Sequence, residues 1–173
     1  PIYRKFGFET TVPVSRWTGI PKGTSPSQSP ELTLTRTHGA SDAILAYDQR
    51  SAGLDRSSLL RELMQDLTCV TWELRQHTDL TGYGILRPGR ERLHLGPVVT
   101  ENVNDTGCLF NEIARTLPGQ EIVCDLFDET EMPEIATAAG LTKFRQLIRM
   151  TTPHSPESLT APAIRCGAGF EWG

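Results

Sequence analysis

Apolar and polar positions change period several times along this chain, and each change marks an element. From residue 31, "ELTLTRTH" sets Leu32 and Leu34 against threonines, the period-two pattern of a half-buried strand. "GASDAILAYDQRSAG" then takes up helical spacing, with Ser41 as N-cap, an apolar face of Ile44, Leu45 and Tyr47, and Gly53 as the stop. Asp55 caps a second helix whose buried stripe is Leu59, Leu60, Leu63 and Met64. Strands are predicted over 68–75, 82–89 and 92–99, and the turns "HTDLT" and "RPGRE" between them carry hairpin chemistry. "NDTGCLFNEIART" is a helix capped by Asn104 or Asp105, "EIVCDLF" a short buried strand, and "ETEMPEIATAAG" a helix ended by Gly140. "TKFRQLIRM" and "APAIRCGAGFEWG" close the chain as strands. The order from residue 31 is therefore β-α-α-β-β-β-α-β-α-β-β, an α/β (α+β) fold with a mixed, mostly antiparallel sheet and helices on both faces.

Before this regular part the pattern breaks. Residues 19–31, "GIPKGTSPSQSPE", hold three prolines, two glycines and three serines without apolar periodicity, which reads as a linker over 19–30. Residues 1–18 stand on its far side, and 31–173 hold enough chain for one complete core.

Composition narrows the partners. Hydrophobic residues at 38 % and charged residues at 22 % are ordinary for a soluble globular protein, and no apolar run approaches the ~20 residues of a membrane span. A formal charge of −4 argues against nucleic acid, whose binding depends on Lys and Arg neutralising phosphates. Cys69, Cys108, Cys124 and Cys166 lie far apart without a C-x-x-C pair and read as free thiols. With no signal-peptide pattern, they place the expected compartment in the cytoplasm. His38, His77, His94 and His154 lack metal-ligand spacing, so no metal site is expected.

The element order, taken with "AYDQRSAGLDRSSLLREL", "GYGILRPGRERLHLGPVV" and the terminal "GAGFEWG", resembles the GNAT superfamily of acetyl-CoA-dependent N-acetyltransferases. More closely, residues 31–173 look like the C-terminal domain of a tandem GNAT protein. "YRKFGF" resembles the Y-x-x-x-G-F signature at the junction of the fourth helix of a GNAT domain with its next strand. Residues 1–18 are then the remnant of a preceding GNAT domain, or else an extra strand on 31–173.

The resemblance implies a site. In the family the strand before the third helix splays from its neighbour, and acetyl-CoA lies in the opening with its pantetheine on that strand's edge. Its pyrophosphate rests on backbone N–H groups at the helix start, where unpaired donors and the positive dipole end meet an anion. By position the strand residues are Gly96, Pro97, Val98, Val99 and Thr100, and the helix residues are Asn104, Asp105, Thr106, Gly107 and Cys108. Gly96 and Pro97 interrupt the ladder as a splayed strand would. The phosphate pattern of the family is not kept: Glu101 takes the cationic slot, Asn104 the first glycine slot and Thr106 the small-residue slot.

Acetyl transfer to an amine requires a free lone pair, and deprotonating a lysine-like amine of pKa ~10.4 at neutral pH costs roughly 4 to 5 kcal/mol. Asp125 and Glu171 are the candidate bases. Ala136 occupies the slot of the family's proton-donating tyrosine, which leaves Tyr3 of the opening segment or Tyr83 of the meander as candidate acids. Asp48 and Arg56 lie on the first two helices, which line the acceptor pocket in this family; they either bind the acceptor or pair with each other. The resemblance thus implies acetyl transfer from acetyl-CoA to a primary amine of a small molecule or peptide. The alternative is a catalytically degenerate module that pairs with an N-terminal GNAT domain; a homodimer is the other partnership considered.

Overall fold

The computed structural model describes residues 2–23, 31–128, 130–152 and 163–168. The strands among them are β1 (Glu9–Gly19), β2 (Leu32–Thr37), β3 (Val70–Gln76), β4 (Asp79–Pro88), β5 (Leu93–Thr100), β6 (Ile122–Phe127), β7 (Thr142–Thr151) and β8 (Ile164–Cys166). The helices are α1 (Asp42–Ala52), α2 (Ser57–Gln65), α3 (Val103–Thr116) and α4 (Met132–Ala138). From β2 onward this is the element order expected from the sequence.

The first helix forms as its punctuation requires. The Ser41 side chain accepts from the Ile44 amide, and Gly53 ends the helix in the left-handed region at φ 69°, a conformation costly for residues with a Cβ. Asp55 accepts from the Ser57 amide at 2.9 Å, so it serves α2 from just outside the helix, whose N-cap residue is Arg56. Asn102 rather than Asn104 or Asp105 caps α3, accepting from the Asn104 amide at 2.9 Å. The run Asn102, Asn104, Asp105 offers several competent caps, and the exit of β5 selects the earliest.

One eight-stranded sheet holds all the strands in the order β2-β3-β4-β5-β8-β6-β1-β7. β3 to β5 form the expected antiparallel meander, with Gly84 opposite Val98, and β2 joins its edge antiparallel to β3, with Leu34 opposite Leu74. β5 and β6 run parallel. β1 lies between β6 and β7, antiparallel to both, with Arg16 opposite Asp125 on one side and Arg145 on the other. The segment before the linker is therefore built into the same sheet as the segment after it.

Strand alternation separates two cores. On one face α3 and α4 cover Trp72, Leu86, Leu95, Val98 and Leu126 with Leu109, Phe110, Ile113 and Met132. On the other, Ile44, Tyr47, Leu60 and Met64 of α1 and α2 cover Tyr83, Ile85 and Val99. Neighbours such as Val98 and Val99 point to opposite faces because the side-chain period of a strand is two. No helix among the described residues is long and apolar enough to cross a membrane.

Candidate functional site

The two parallel strands meet only at their beginnings, where Leu93 faces Ile122 and His94 faces Val123. Beyond the cis Gly96–Pro97 bond they diverge, so the opening expected from the resemblance is present. It is not empty. β8 runs through it antiparallel to both walls, with Val98 opposite Cys166, Val99 opposite Ile164, and Leu126 opposite Cys166. The Thr100 amide donates to Ala163 O at 3.0 Å, and the Gly167 amide donates to Asp125 O at 3.0 Å. A Cβ built on Gly96 would overlap the Gly167 carbonyl, so the absence of a side chain at Gly96 is what lets the two backbones meet.

At the mouth of the opening, above the start of α3, Arg165 donates to Thr100 O at 3.0 Å, to Glu101 O at 2.9 Å and to Thr100 Oγ1 at 3.1 Å. Thr100 Oγ1 is in turn hydrogen-bonded to Thr106 Oγ1 at 3.3 Å. A cavity of about 630 Å³ adjoins it, lined by Glu101, Asn102, Val103, Thr130, Glu131, Glu134 and Arg165. Three carboxylates thus face one guanidinium. Asp105 adds acidity in the first turn of α3, where burial first and then the charge of Glu101 push its carboxyl up. Burial also pulls Arg165 down from the ordinary arginine range.

Asp125 reaches the opening on β6 and is 3 % exposed. Its two oxygens accept from Arg16 Nε and Nη2 at 2.8 Å each. His94 lies beyond, with Nε2 3.8 Å from Asp125 Oδ2. Arg87 donates to His94 Nδ1 at 2.7 Å; arginine can only donate, which leaves the ring proton on Nε2. Arg87 also donates to Ala168 O. The carboxylate expected to act as base is therefore committed to a guanidinium from β1.

The other candidates lie apart from this opening or on its walls. Tyr83 is fully buried on the α1 and α2 face and donates to Asp48 Oδ1 at 2.6 Å. Burial, and then the Asp48 charge, hold its phenol well above the ordinary tyrosine value, and its ring packs in the core beneath α1 and α2. Asp48 is 1 % exposed and takes both forks of Arg56, so the pairing of the two helices prevails over an acceptor role. Tyr3 sits 60 % exposed on a 3-10 turn, Ile2–Phe6, edge-on to Phe8. It precedes β1, and from Glu9 to Arg16 that strand alone covers ~23 Å, so Tyr3 and Asp125 are not brought together. Gly96, Pro97, Val98, Val99 and Thr100 do form one wall, and their buried edge is paired with β8. Asn104 spends its amide on the Asn102 cap, Thr106 is buried against Thr100, and Cys108 is buried with its thiol pushed up by desolvation. Gly107 abuts Ile135 of α4. Glu171 falls outside the described residues. Among the described residues no cluster of metal ligands occurs.

The residues that decide the site's character, Arg16, Arg165, Glu131 and Glu134, were not singled out as site residues from the sequence. The available signal was a lone arginine inside each of two otherwise uncharged strand runs, "TTVPVSRW" and "APAIRC". As arranged, these residues do not fit acetyl-CoA placed as the resemblance implies: β8 fills the opening where its pantetheine would lie, and Glu101, Glu131 and Glu134 line the cavity at the start of α3 where its pyrophosphate would rest.

Comparison with known proteins agrees with the topology. Residues 44–160 match the model of an acetyltransferase (GNAT) domain. A putative acetyltransferase from Pyrococcus horikoshii superposes with a TM-score of 0.75 at 15 % identity, covering 99 % of this chain and 56 % of that one. A GCN5-related N-acetyltransferase from Anabaena variabilis gives 0.62 at 19 % identity, with 86 % and 42 % covered. A tandem GNAT protein from the clavulanic acid biosynthesis pathway gives 0.57 at 13 % identity, with 89 % and 57 % covered. The chain thus spans about half the length of these three structures. No curated protein sequence matches it. With more than half of its residues matched by the domain model and the whole sheet and helix order in agreement, the chain belongs to the GNAT acetyltransferase family.

Proposed function

We propose that this chain is the non-catalytic GNAT module of an N-acetyltransferase: it pairs with a second, N-terminal GNAT domain, which holds acetyl-CoA and acetylates a primary amine of a small molecule or peptide. The observation that carries this reading is the acidic mouth of the opening. Glu101, Glu131 and Glu134 surround the place where a pyrophosphate would rest, and Arg165 spends its guanidinium on Thr100 and Glu101 carbonyls. Each carboxylate at ~8 Å from a phosphate charge costs ~0.5 kcal/mol even in water, and more where solvent is partly excluded. The dipole of a helix end returns only 0.3–1 kcal/mol. The Arg16–Asp125 pair supports the same reading, since a carboxylate held by two charge-assisted hydrogen bonds is a poor base.

The test is calorimetry with acetyl-CoA on the chain, together with a thiol-release assay over a panel of polyamines, amino sugars and peptides. We expect no binding up to about 1 mM, which is about −4 kcal/mol, and no thiol release. The chain paired with its N-terminal GNAT domain is expected to release thiol with at least one amine. Turnover by the chain alone would overturn the proposal and leave it a complete acetyltransferase.

A further inference from the structure

β7 ends the strand order of the sheet, so among the described residues one of its edges has no neighbour. A strand of 10 residues with an open edge invites pairing, because its outward N–H and C=O groups keep their hydrogen-bonding capacity. β1 fixes which groups point outward. The Pro13 carbonyl accepts from the Asp128 amide at 3.1 Å on the β6 side, and Pro13 faces Ile148 in the β1–β7 register. Pro13 and Ile148 are therefore a non-hydrogen-bonded pair, and the Ile148 N–H and C=O point to the open edge. The Ile148 side chain is 63 % exposed, and Phe144 on the same strand is 62 % exposed.

We propose that two copies of this chain join edge to edge through β7, antiparallel about a two-fold axis at Ile148. The alternation of antiparallel hydrogen bonds requires the residue on such an axis to face its own copy. The charged residues of β7, Lys143, Arg145 and Arg149, are all cations, and like charges set opposite each other oppose pairing. An axis at 145 or 149 sets an arginine against its own copy, one at 147 sets Arg145 against Arg149, and one at 146 brings Arg149 to Lys143. Centres nearer the ends pair too little of the strand. With Ile148 on the axis, Leu147 faces Arg149, Gln146 faces Met150 and Arg145 faces Thr151, so the cations stay apart. Phe144 of the second copy then comes beside Thr152, at the end of β7 where Thr151 pairs with Glu9 and the exposed Ile2, Tyr3 and Phe6 lead into β1. The large apolar side chains otherwise left in water thus gather along one seam. The seam is separated from β6 by β1, so it does not depend on whether the chain binds acetyl-CoA.

Sedimentation equilibrium of the chain at micromolar concentration is expected to show a dimer. Ile148→Lys sets a cation on the axis against its own copy and should weaken the dimer about 100-fold. Ile148→Cys should give a covalent dimer with diamide, since the Cα atoms of a hydrogen-bonded pair lie about 5.5 Å apart, within disulfide range. Leu67→Cys, at a position 86 % exposed just past α2, should not, and the four native cysteines are buried. A chain that stays monomeric, a dimer that Ile148→Lys leaves intact, or Ile148→Cys cross-linking no faster than Leu67→Cys overturns the proposal. If Ile148→Lys does not fold by circular dichroism, the comparison of the two cysteine variants decides.

Discussion

Replacing Arg16 by alanine tests both the seating of β1 and the neutralisation of Asp125. Arg16 gives two hydrogen bonds of 2.8 Å to a carboxylate whose side chain is 4 % exposed, while its own side chain is 22 % exposed. Removing one partner of a buried pair costs ~3–5 kcal/mol, because the other charge stays behind in a poor solvent. Water can enter along the vacated path of Arg16, so the lower end applies, about 3 kcal/mol. With a urea slope of ~2 kcal/mol/M for a domain of this size, the unfolding midpoint should fall by about 1.5 M. The double variant Arg16→Met with Asp125→Leu should recover most of the loss, since an apolar pair of similar volume leaves no charge to desolvate. A midpoint for Arg16→Ala within ~0.3 M of the unaltered chain would show that β1 does not bring Arg16 onto Asp125, and would refute the reasoning.

Three further outcomes follow from the site and its surroundings. Burial pushes the Tyr47 phenol from 10.0 up to about 12, so the unfolded chain ionises first as pH rises. Its stabilising contribution is whole below pH 10 and is lost between pH 10 and about 12; Tyr47→Phe should flatten that alkaline limb in a urea series, and an unchanged limb would count against it. Tyr83→Phe removes the 2.6 Å bond to Asp48 but leaves Arg56 in place, so thermal melting should report a loss of ~1–2 kcal/mol; a change under ~0.3 kcal/mol would show the bond is not made. Asn102→Ala should cost ~1 kcal/mol as the lost cap of α3, whereas Asn104→Ala should cost little; the reverse order in urea unfolding would return the cap to Asn104.

The local elements were legible because their causes are local. Ser41, the spacing of Ile44, Leu45 and Tyr47, and Gly53 lie within one stretch, and each acts on its immediate neighbours. The same holds for the meander, where hairpin turns pair adjacent strands. The candidate site was legible in its backbone only: the interruption at Gly96 and Pro97 was expected, and β5 and β6 pair only before it, whereas the partners of Asp125 were not foreseen. Asp48 and Arg56 were open between two roles, and only the fold shows Asp48 buried and hydrogen-bonded to both Arg56 and Tyr83.

The sequence by itself determined the order of strands and helices and the apolar faces that become two cores, because periodicity and turn chemistry act over a few residues; the family was legible only through the resemblance of its local motifs. Only the tertiary structure decided that β1 enters the sheet between β6 and β7, that β8 fills the opening, and that Glu131 and Glu134 of α4 join Glu101 at its mouth. These are pairings between distant positions, such as Arg16 with Asp125 and Val99 with Ile164, and they are chosen by competition for buried hydrogen bonds among all the strand edges at once. A single strand's pattern says that it will pair; it does not say with which edge.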